Sequence, residues 1–76
     1  MKVFDKVKEY ILQQLPVGEE KVTMEAKLID DLGADSANLM MLIMDLETEY
    51  DLTVEDEVLG SIKTVGDIVT YIEGHI

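Results

Sequence analysis

The hexad Asp31-Leu32-Gly33-Ala34-Asp35-Ser36 runs directly into Ala37-Asn38-Leu39-Met40-Met41-Leu42-Ile43-Met44, which places one serine at the mouth of an almost wholly apolar helix. A helix start leaves several backbone N–H groups without intrahelical partners and carries the positive end of the helix dipole, so a phosphate attached to the first side chain is stabilised there. Ser36 is therefore the candidate for the working atom of the chain. Serine is also a preferred N-cap, and capping is its plainest structural role. Gly33 suits a sharp turn into the helix, or is simply a loop glycine.

A serine hydroxyl is a weak nucleophile until a base stands beside it, and the only histidine, His75, lies in the last helical turn at the chain end. There is no cysteine, so disulfides and thiolate metal sites are excluded, and any thiol chemistry must arrive with an attached group. No set of base, nucleophile and orienting group can be assembled. No catalytic residue is expected, and Ser36 reads as a substrate for modification. A calcium loop starting at Asp31 would place Leu42 at its twelfth position, where an EF-hand needs a bidentate glutamate. That pattern fails and no metal site is expected, although loose divalent binding to the acid clusters stays open.

Helices must position this serine. Val3, Val7, Tyr10 and Ile11, with Phe4 and Leu15, follow the three-to-four spacing of an amphipathic helix that Pro16 and Gly18 end. Residues 19–27 then read as a polar loop, with Val22, Met24, Ala26, Leu28 and Ile29 available to cover the core. A second helix should run from just after Ser36 to about Tyr50, with Leu39, Leu42, Ile43, Leu46 and Tyr50 on one side and Asp51 beginning the exit. A short third helix is expected around Glu55 to Leu59, before Gly60. The last begins after Thr64, whose hydroxyl and Asp67 three residues on make a capping-box pattern, and turns Val65, Ile68, Val69 and Ile72 inward. No segment alternates with the two-residue period of a strand. The expectation is an all-α fold, a small four-helix bundle with one long first loop and a short third helix.

A chain of 76 residues suffices for one domain, residues 1–76, burying about 60% of the surface its unfolded form exposes. Net charge is -11, and all six basic residues are lysines, at positions 2, 6, 8, 21, 27 and 63. Nothing basic lies between Leu28 and Ile62, an interval holding ten acids: Asp30, Asp31, Asp35, Asp45, Glu47, Glu49, Asp51, Glu55, Asp56 and Glu57. Such a single-sign field repels nucleic acid and anionic lipid and speeds encounter with lysine- and arginine-rich partners. The plainer reading is a solubilising coat. No run approaches a signal-peptide core or a membrane span, so a cytoplasmic location without membrane insertion is expected.

The hexad ending in Ser36 resembles the attachment motif of acyl carrier proteins. The likeness extends along the chain through Leu46-Glu47 and Glu49-Tyr50 to Thr64-Val65-Gly66-Asp67 and Tyr71-Ile72-Glu73-Gly74-His75. The resemblance implies that Ser36 carries 4'-phosphopantetheine, transferred from coenzyme A by a phosphopantetheinyl transferase that supplies the base and a divalent metal. It implies that Asp35 sits at the transferase metal site; its plainer role is to favour the helix N-terminus. The protein would then be a monomeric shuttle, holding acyl groups as thioesters and presenting them to enzymes of fatty-acid or related biosynthesis through their basic patches.

Helix two departs from the family pattern, which tends to have leucine after the serine, then aspartate, and a glutamate five places beyond it. Here stand Ala37, Asn38 and Met41. Leu39, Met40, Met41 and Met44 extend the apolar surface around most of the helix, so some must be exposed. They form a candidate partner-binding patch rimmed by Asp45, Glu47 and Glu49. Methionine also fills irregular cores, a reading with most weight at Met44. The departures suit a dedicated polyketide, peptide or other acyl pathway as the client. Leu28, Leu32, Leu39, Leu46, Val54, Ile62 and Ile68 are candidates for lining an acyl cleft, where each buried methylene gains about 0.8 kcal/mol; core packing is their ordinary role. An unmodified helical adaptor that binds through the methionines is the alternative of another class.

Overall fold

The spacing of apolar residues at the start of the chain produces α1, Val3–Gln14, whose Val3, Val7 and Ile11 are buried. A computed structural model describes residues 2–76. After Leu15 closes α1, the connection makes a single 3-10 turn at Glu19–Lys21 where an open loop was expected, started by the Lys21 N–H donating to the Gly18 carbonyl. Then come α2, Ser36–Tyr50, α3, Asp56–Ser61, and α4, Val65–Glu73. Helix α1 packs against both α4 and α2. Among the described residues there is no strand, only an isolated antiparallel bridge between Lys27 and Thr64.

The core is one cluster to which every helix except α3 contributes buried side chains. Val65, Ile68, Val69 and Ile72 turn inward from α4 as their spacing requires, and Leu42, Ile43 and Leu46 do so from α2. Of the five loop residues expected to cover the core, Val22, Ala26 and Leu28 are buried, while Met24 and Ile29 are exposed. Leu28 and Ile29 are neighbours, and a chain crossing the core can aim only one of two successive side chains into it. Helix α3 runs through Gly60 to Ser61 rather than stopping before the glycine. Ile62 N–H caps its end by donating to the Val58 and Leu59 carbonyls.

The long connection is fixed by main-chain bonds to the α3–α4 turn. Leu28 N–H donates to the Lys63 carbonyl at 2.9 Å, Val65 N–H to Ala26 at 3.0 Å, and Gly66 N–H to Met24 at 2.9 Å. The capping box beside this seam is fully formed: Asp67 N–H donates to Thr64 Oγ1 at 3.1 Å, while Thr64 N–H and Lys63 N–H donate to Asp67 Oδ2 at 3.1 and 2.9 Å. The backbone donors of Lys63 and Thr64 hold the Asp67 carboxyl below its ordinary value of 3.8.

Two predictions follow from this seam. A Cβ on Gly66 would stand 2.8 Å from the Met24 carbonyl oxygen, whereas one on Gly74 meets nothing nearer than 3.5 Å. Gly66→Ala should therefore lose about 1–3 kcal/mol in urea melts, and Gly74→Ala should stay within about 0.5 kcal/mol of the parent. A carboxyl whose folded pKa is depressed stabilises the fold above its unfolded pKa and loses that contribution as pH falls through the folded value. The gap in melting temperature between the parent and Asp67→Asn should accordingly be widest near neutral pH and close as the pH falls below the ordinary carboxyl value of 3.8.

Candidate functional site

The segment leading to Ser36 is wound on itself before the helix begins. Lys27 N–H donates to Asp31 Oδ2 at 2.8 Å, and the Lys27 carbonyl accepts from the amides of Asp31 and Leu32 at 2.9 and 3.0 Å. Gly33 adopts a left-handed φ of 74°, a conformation costly for a residue with a Cβ, and Ala34 N–H returns to the Leu28 carbonyl at 2.9 Å. Leu32 and Ala34 are buried under this turn, which leaves Asp35 extended and aimed into the helix.

Asp35 caps α2, not Ser36, for which capping is the plainest reading of the sequence, so the helix starts at Ser36 rather than just after it. Asp35 Oδ1 accepts from Asn38 N–H at 2.8 Å, and Asn38 Oδ1 faces the Asp35 N–H at 3.5 Å, closing a capping box. Asn38, a departure from the family pattern, is thus a structural partner of the cap. Ser36 becomes the first helical residue, exposed, with its hydroxyl hydrogen-bonded to no other described residue. The amides of Ser36 and Ala37 also find no backbone partner. A phosphate ester on Ser36 fits this place: the oxygen is free, two donors stand beside it, and the helix dipole favours the charge. His75 has no part in it, since its Nδ1 lies 2.7 Å from the Tyr71 carbonyl and its ring packs edge-on against Tyr71.

Beyond Ser36 the outward face of α2 is apolar. Met40, Met41 and Met44 are 55%, 57% and 59% exposed, so none fills the core, Met44 included. Leu39 is partly buried against the core. The three carboxylates around the methionines are each engaged within the chain. Gln14 Nε2 donates to Asp45 Oδ2 at 2.8 Å, and Val54 N–H donates to Glu47 Oε2 at 2.7 Å. Glu49 accepts from the Tyr10 hydroxyl at 2.7 Å and pairs with Lys6 Nζ at 3.8 Å. The bond to Glu49 is the main cause that pushes the Tyr10 phenol up to about 12.

A cleft of about 650 Å³ opens one turn from Ser36, its apolar walls made by Leu28, Ile29, Leu39, Leu59 and Ile62, with Lys27 and Lys63 on its polar rim. Behind it lies a core seam of only about 10 Å³, touched by Leu46, Val54, Ile62 and Ile68. The residues expected to line one cleft therefore divide, with Leu28 and Leu39 outside, Leu46, Val54 and Ile68 inside, and Ile62 touching both. Leu32 borders neither space and packs beneath the loop. Ile29 and Leu59 were missed; the adjacent apolar pair at Leu28 and Ile29 was the available signal. Among the described residues no group of three or more His, Cys, Asp and Glu side chains is arranged to hold a metal ion, and no helix is long and apolar enough to cross a membrane.

Residues 5–72 match the family model described as a phosphopantetheine attachment site. The chain is 58% identical over 71 residues to the acyl carrier protein of Thermotoga maritima, covering 93% of this chain and 88% of that protein. Against the acyl carrier protein of Clostridium perfringens it is 51% identical over 73 residues, with 96% of each covered. The solved structure of the acyl carrier protein from Enterococcus faecalis superposes with a TM-score of 0.84 at 33% identity, covering 100% of both chains.

The cap role of Asp35 seen here and the transferase metal contact that the family resemblance implies are separable by substitution. Asparagine caps as well as aspartate, so Asp35→Asn should melt within a few tenths of a kcal/mol of the parent while Asp35→Ala loses about 1 kcal/mol. If the carboxylate also meets the transferase metal, both variants should be modified more slowly, measured as the initial rate of mass gain with coenzyme A.

Proposed function

The chain belongs to the family of acyl carrier proteins, non-catalytic holders of 4'-phosphopantetheine, and from that premise we propose that Ser36 is the attachment residue. The observation that carries the assignment is the free, exposed Ser36 hydroxyl at the first position of α2, with capping delegated to Asp35. A phosphopantetheinyl transferase forms the Ser36 Oγ–phosphorus bond as the pyrophosphate bond of coenzyme A breaks and adenosine 3',5'-bisphosphate leaves, and its own base removes the hydroxyl proton. The arm supplies the thiol that the chain lacks, and acyl groups ride on it as thioesters. This chain's own residues present the arm: Asp31 and Gly33 shape the approach, Asp35 and Asn38 fix the helix start, and α2 gives a rigid base.

The same reading has residues 1–76 act as one monomeric carrier domain in the cytoplasm, serving enzymes of fatty-acid or related acyl synthesis. Asp45, Glu47 and Glu49 contribute to the field that draws basic patches of those enzymes toward α2. The cleft beside Leu39 shelters the start of an apolar acyl chain, supported by its apolar walls and its opening one turn from Ser36. The seam behind Ile62 offers only about 10 Å³, room for about one water and not for an acyl chain, so deeper entry requires the walls to part. Met41, at the position where the family tends to carry glutamate, supports a dedicated pathway as the client.

Intact-mass measurement tests the assignment. Incubation with coenzyme A and a broad-specificity transferase should add one phosphopantetheinyl unit, and Ser36→Ala should abolish the addition. Because Asp35 holds the cap, Ser36→Ala should melt within about 0.5 kcal/mol of the parent. No mass gain by the parent would leave an unmodified adaptor. Amide shifts of the acyl-loaded protein should move at Leu39, Leu59 and Ile62 and stay in place at Leu32; no movement at the first three would refute the cleft.

A further inference from the structure

The seam between the first connection and the α3–α4 turn sets two lysines beside one apolar hollow. Lys27 forms an antiparallel bridge with Thr64, and the Lys63 carbonyl accepts from the Leu28 amide at 2.9 Å, so residues from distant parts of the chain share the rim of the outer cleft. Of the six lysines in the chain, Lys6 and Lys8 are paired with Glu49 and Glu19. Lys27 and Lys63 are exposed, and among the described residues no carboxylate lies within 4 Å of either ammonium. Two carboxylates do line the same cleft. Asp67 spends its Oδ2 on the amides of Lys63 and Thr64, and Asp30 forms no ion pair. In a chain of net charge -11, two cations without acidic partners at one cavity are a feature that the carrier role described above leaves unused.

A guest in this cleft meets two kinds of surface at once, apolar walls at Leu39, Leu59 and Ile62 and the ammonium groups on the rim. A plain alkyl tail is favoured by the walls, but drawing it across the lysines strips water from two charges and returns no bond to them. Nor can it withdraw into the space behind Ile62, which is about 10 Å³. A tail that ends in a carboxylate uses the same walls and gives each ammonium an acceptor. Elsewhere along residues 28–62 such an anion is repelled, because that interval holds ten acids and no basic residue. We propose that the outer cleft selects acyl groups that end in a carboxylate, the monothioesters of dicarboxylic acids, with their methylenes on Leu39, Leu59 and Ile62 and the terminal carboxylate at Lys27 and Lys63. The inference rests on Ser36 as the attachment residue and on the cleft as the shelter, and its test separates the three.

A broad-specificity transferase and the corresponding acyl coenzyme A thioesters load the full chain with adipoyl or suberyl groups, and with heptanoyl or nonanoyl groups as methyl-ended controls of matched length. Cleavage of each thioester by hydroxylamine, followed by intact mass and divided by the rate for the same thioester on coenzyme A, reads how far the load is sheltered. At about 50 mM salt at least one carboxylate-ended load should be cleaved about fivefold more slowly than its control. The advantage should shrink to about twofold or less at about 300 mM. Lys27→Gln with Lys63→Gln should remove it, and circular dichroism should match the parent because both side chains are exposed and the seam bonds are main-chain. The amides of Lys27 and Lys63 should shift further with the carboxylate-ended load than with its control. Shifts of that size on attachment of the bare arm would assign the lysines to its phosphate and overturn the proposal. So would equal or faster cleavage of both carboxylate-ended loads in the parent, or an advantage that survives in the glutamine variant. Protection of the methyl-ended loads alone sinks the lysine pairing and leaves the cleft standing, whereas protection of no load sinks the cleft as well. Absence of any mass gain in the parent sinks the attachment residue itself.

Discussion

Main-chain hydrogen bonds between the long first connection and the α3–α4 turn decide where everything else lies. Leu28, Val65 and Gly66 donate across this seam to Lys63, Ala26 and Met24. Each bond is worth only about 1 kcal/mol net, but together they set the register in which a connection of mostly polar residues crosses the core. With that register set, Val22, Ala26, Leu28 and Leu32 fall inward and the chain arrives at Asp35 pointing into α2. Gly66 makes the approach possible because no side chain stands between α4 and Met24. The seam therefore reaches Ser36 through one continuous stretch of backbone, and its Leu28, Lys63 and Thr64 also line the outer cleft.

A net charge of -11 in a small chain without cysteine is a burden on folding. The structure turns part of that burden to use. Asp31, Asp35, Glu47 and Asp67 each accept a hydrogen bond from a backbone N–H at a turn or helix end. In these places the donors lack helical partners, and at Asp35 and Asp67 the negative charge also meets the positive end of a helix dipole. The ion pairs within 4 Å among the described residues both involve α1, Lys6 with Glu49 and Lys8 with Glu19. Carboxylates thus hold the fold mostly through charge-assisted bonds to amides, and α1 acts as the donor platform that fastens α2 from the side.

The helices and their inward faces were legible because periodicity is a local property of the sequence, and the capping box at Thr64 and Asp67 was legible because both halves lie within one turn. The cap of α2 falls one residue earlier than the serine that the sequence suggested, since Asp35 is as good a cap as Ser36 and Asn38, three residues after Asp35, completes its box. The length of α3 was misread because glycine was taken as a stop, whereas Gly60 is accommodated in a helix that ends when Ile62 turns into the core. Nothing local announced that Gln14 would reach Asp45 or that Tyr10 would reach Glu49, because those partners lie 31 and 39 residues apart. The division of the cleft was hidden for the same reason: Ile29, Leu39 and Ile62 become neighbours only after the seam has formed.

The placement of Ile62 connects stability to the proposed sheltering of acyl chains. It touches both the outer cleft and the packed seam, and it sits at the end of α3, a helix of six residues with no side-chain cap and no buried residue of its own. The opposite wall, α2, is capped at its start and bonded to α1 along its length, so it resists displacement. A guest entering from the direction of Ser36 meets one firm wall and one weak one, and motion falls on the weak one. Moving α3 disturbs the partly buried Val58 and Leu59 and, at its end, Ile62, whereas moving α2 would strip Leu42, Ile43 and Leu46 from the core. The fold can thus concentrate its stability in α1, α2 and α4 and leave room for a guest at α3, without asking Ser36, the proposed attachment residue, to move.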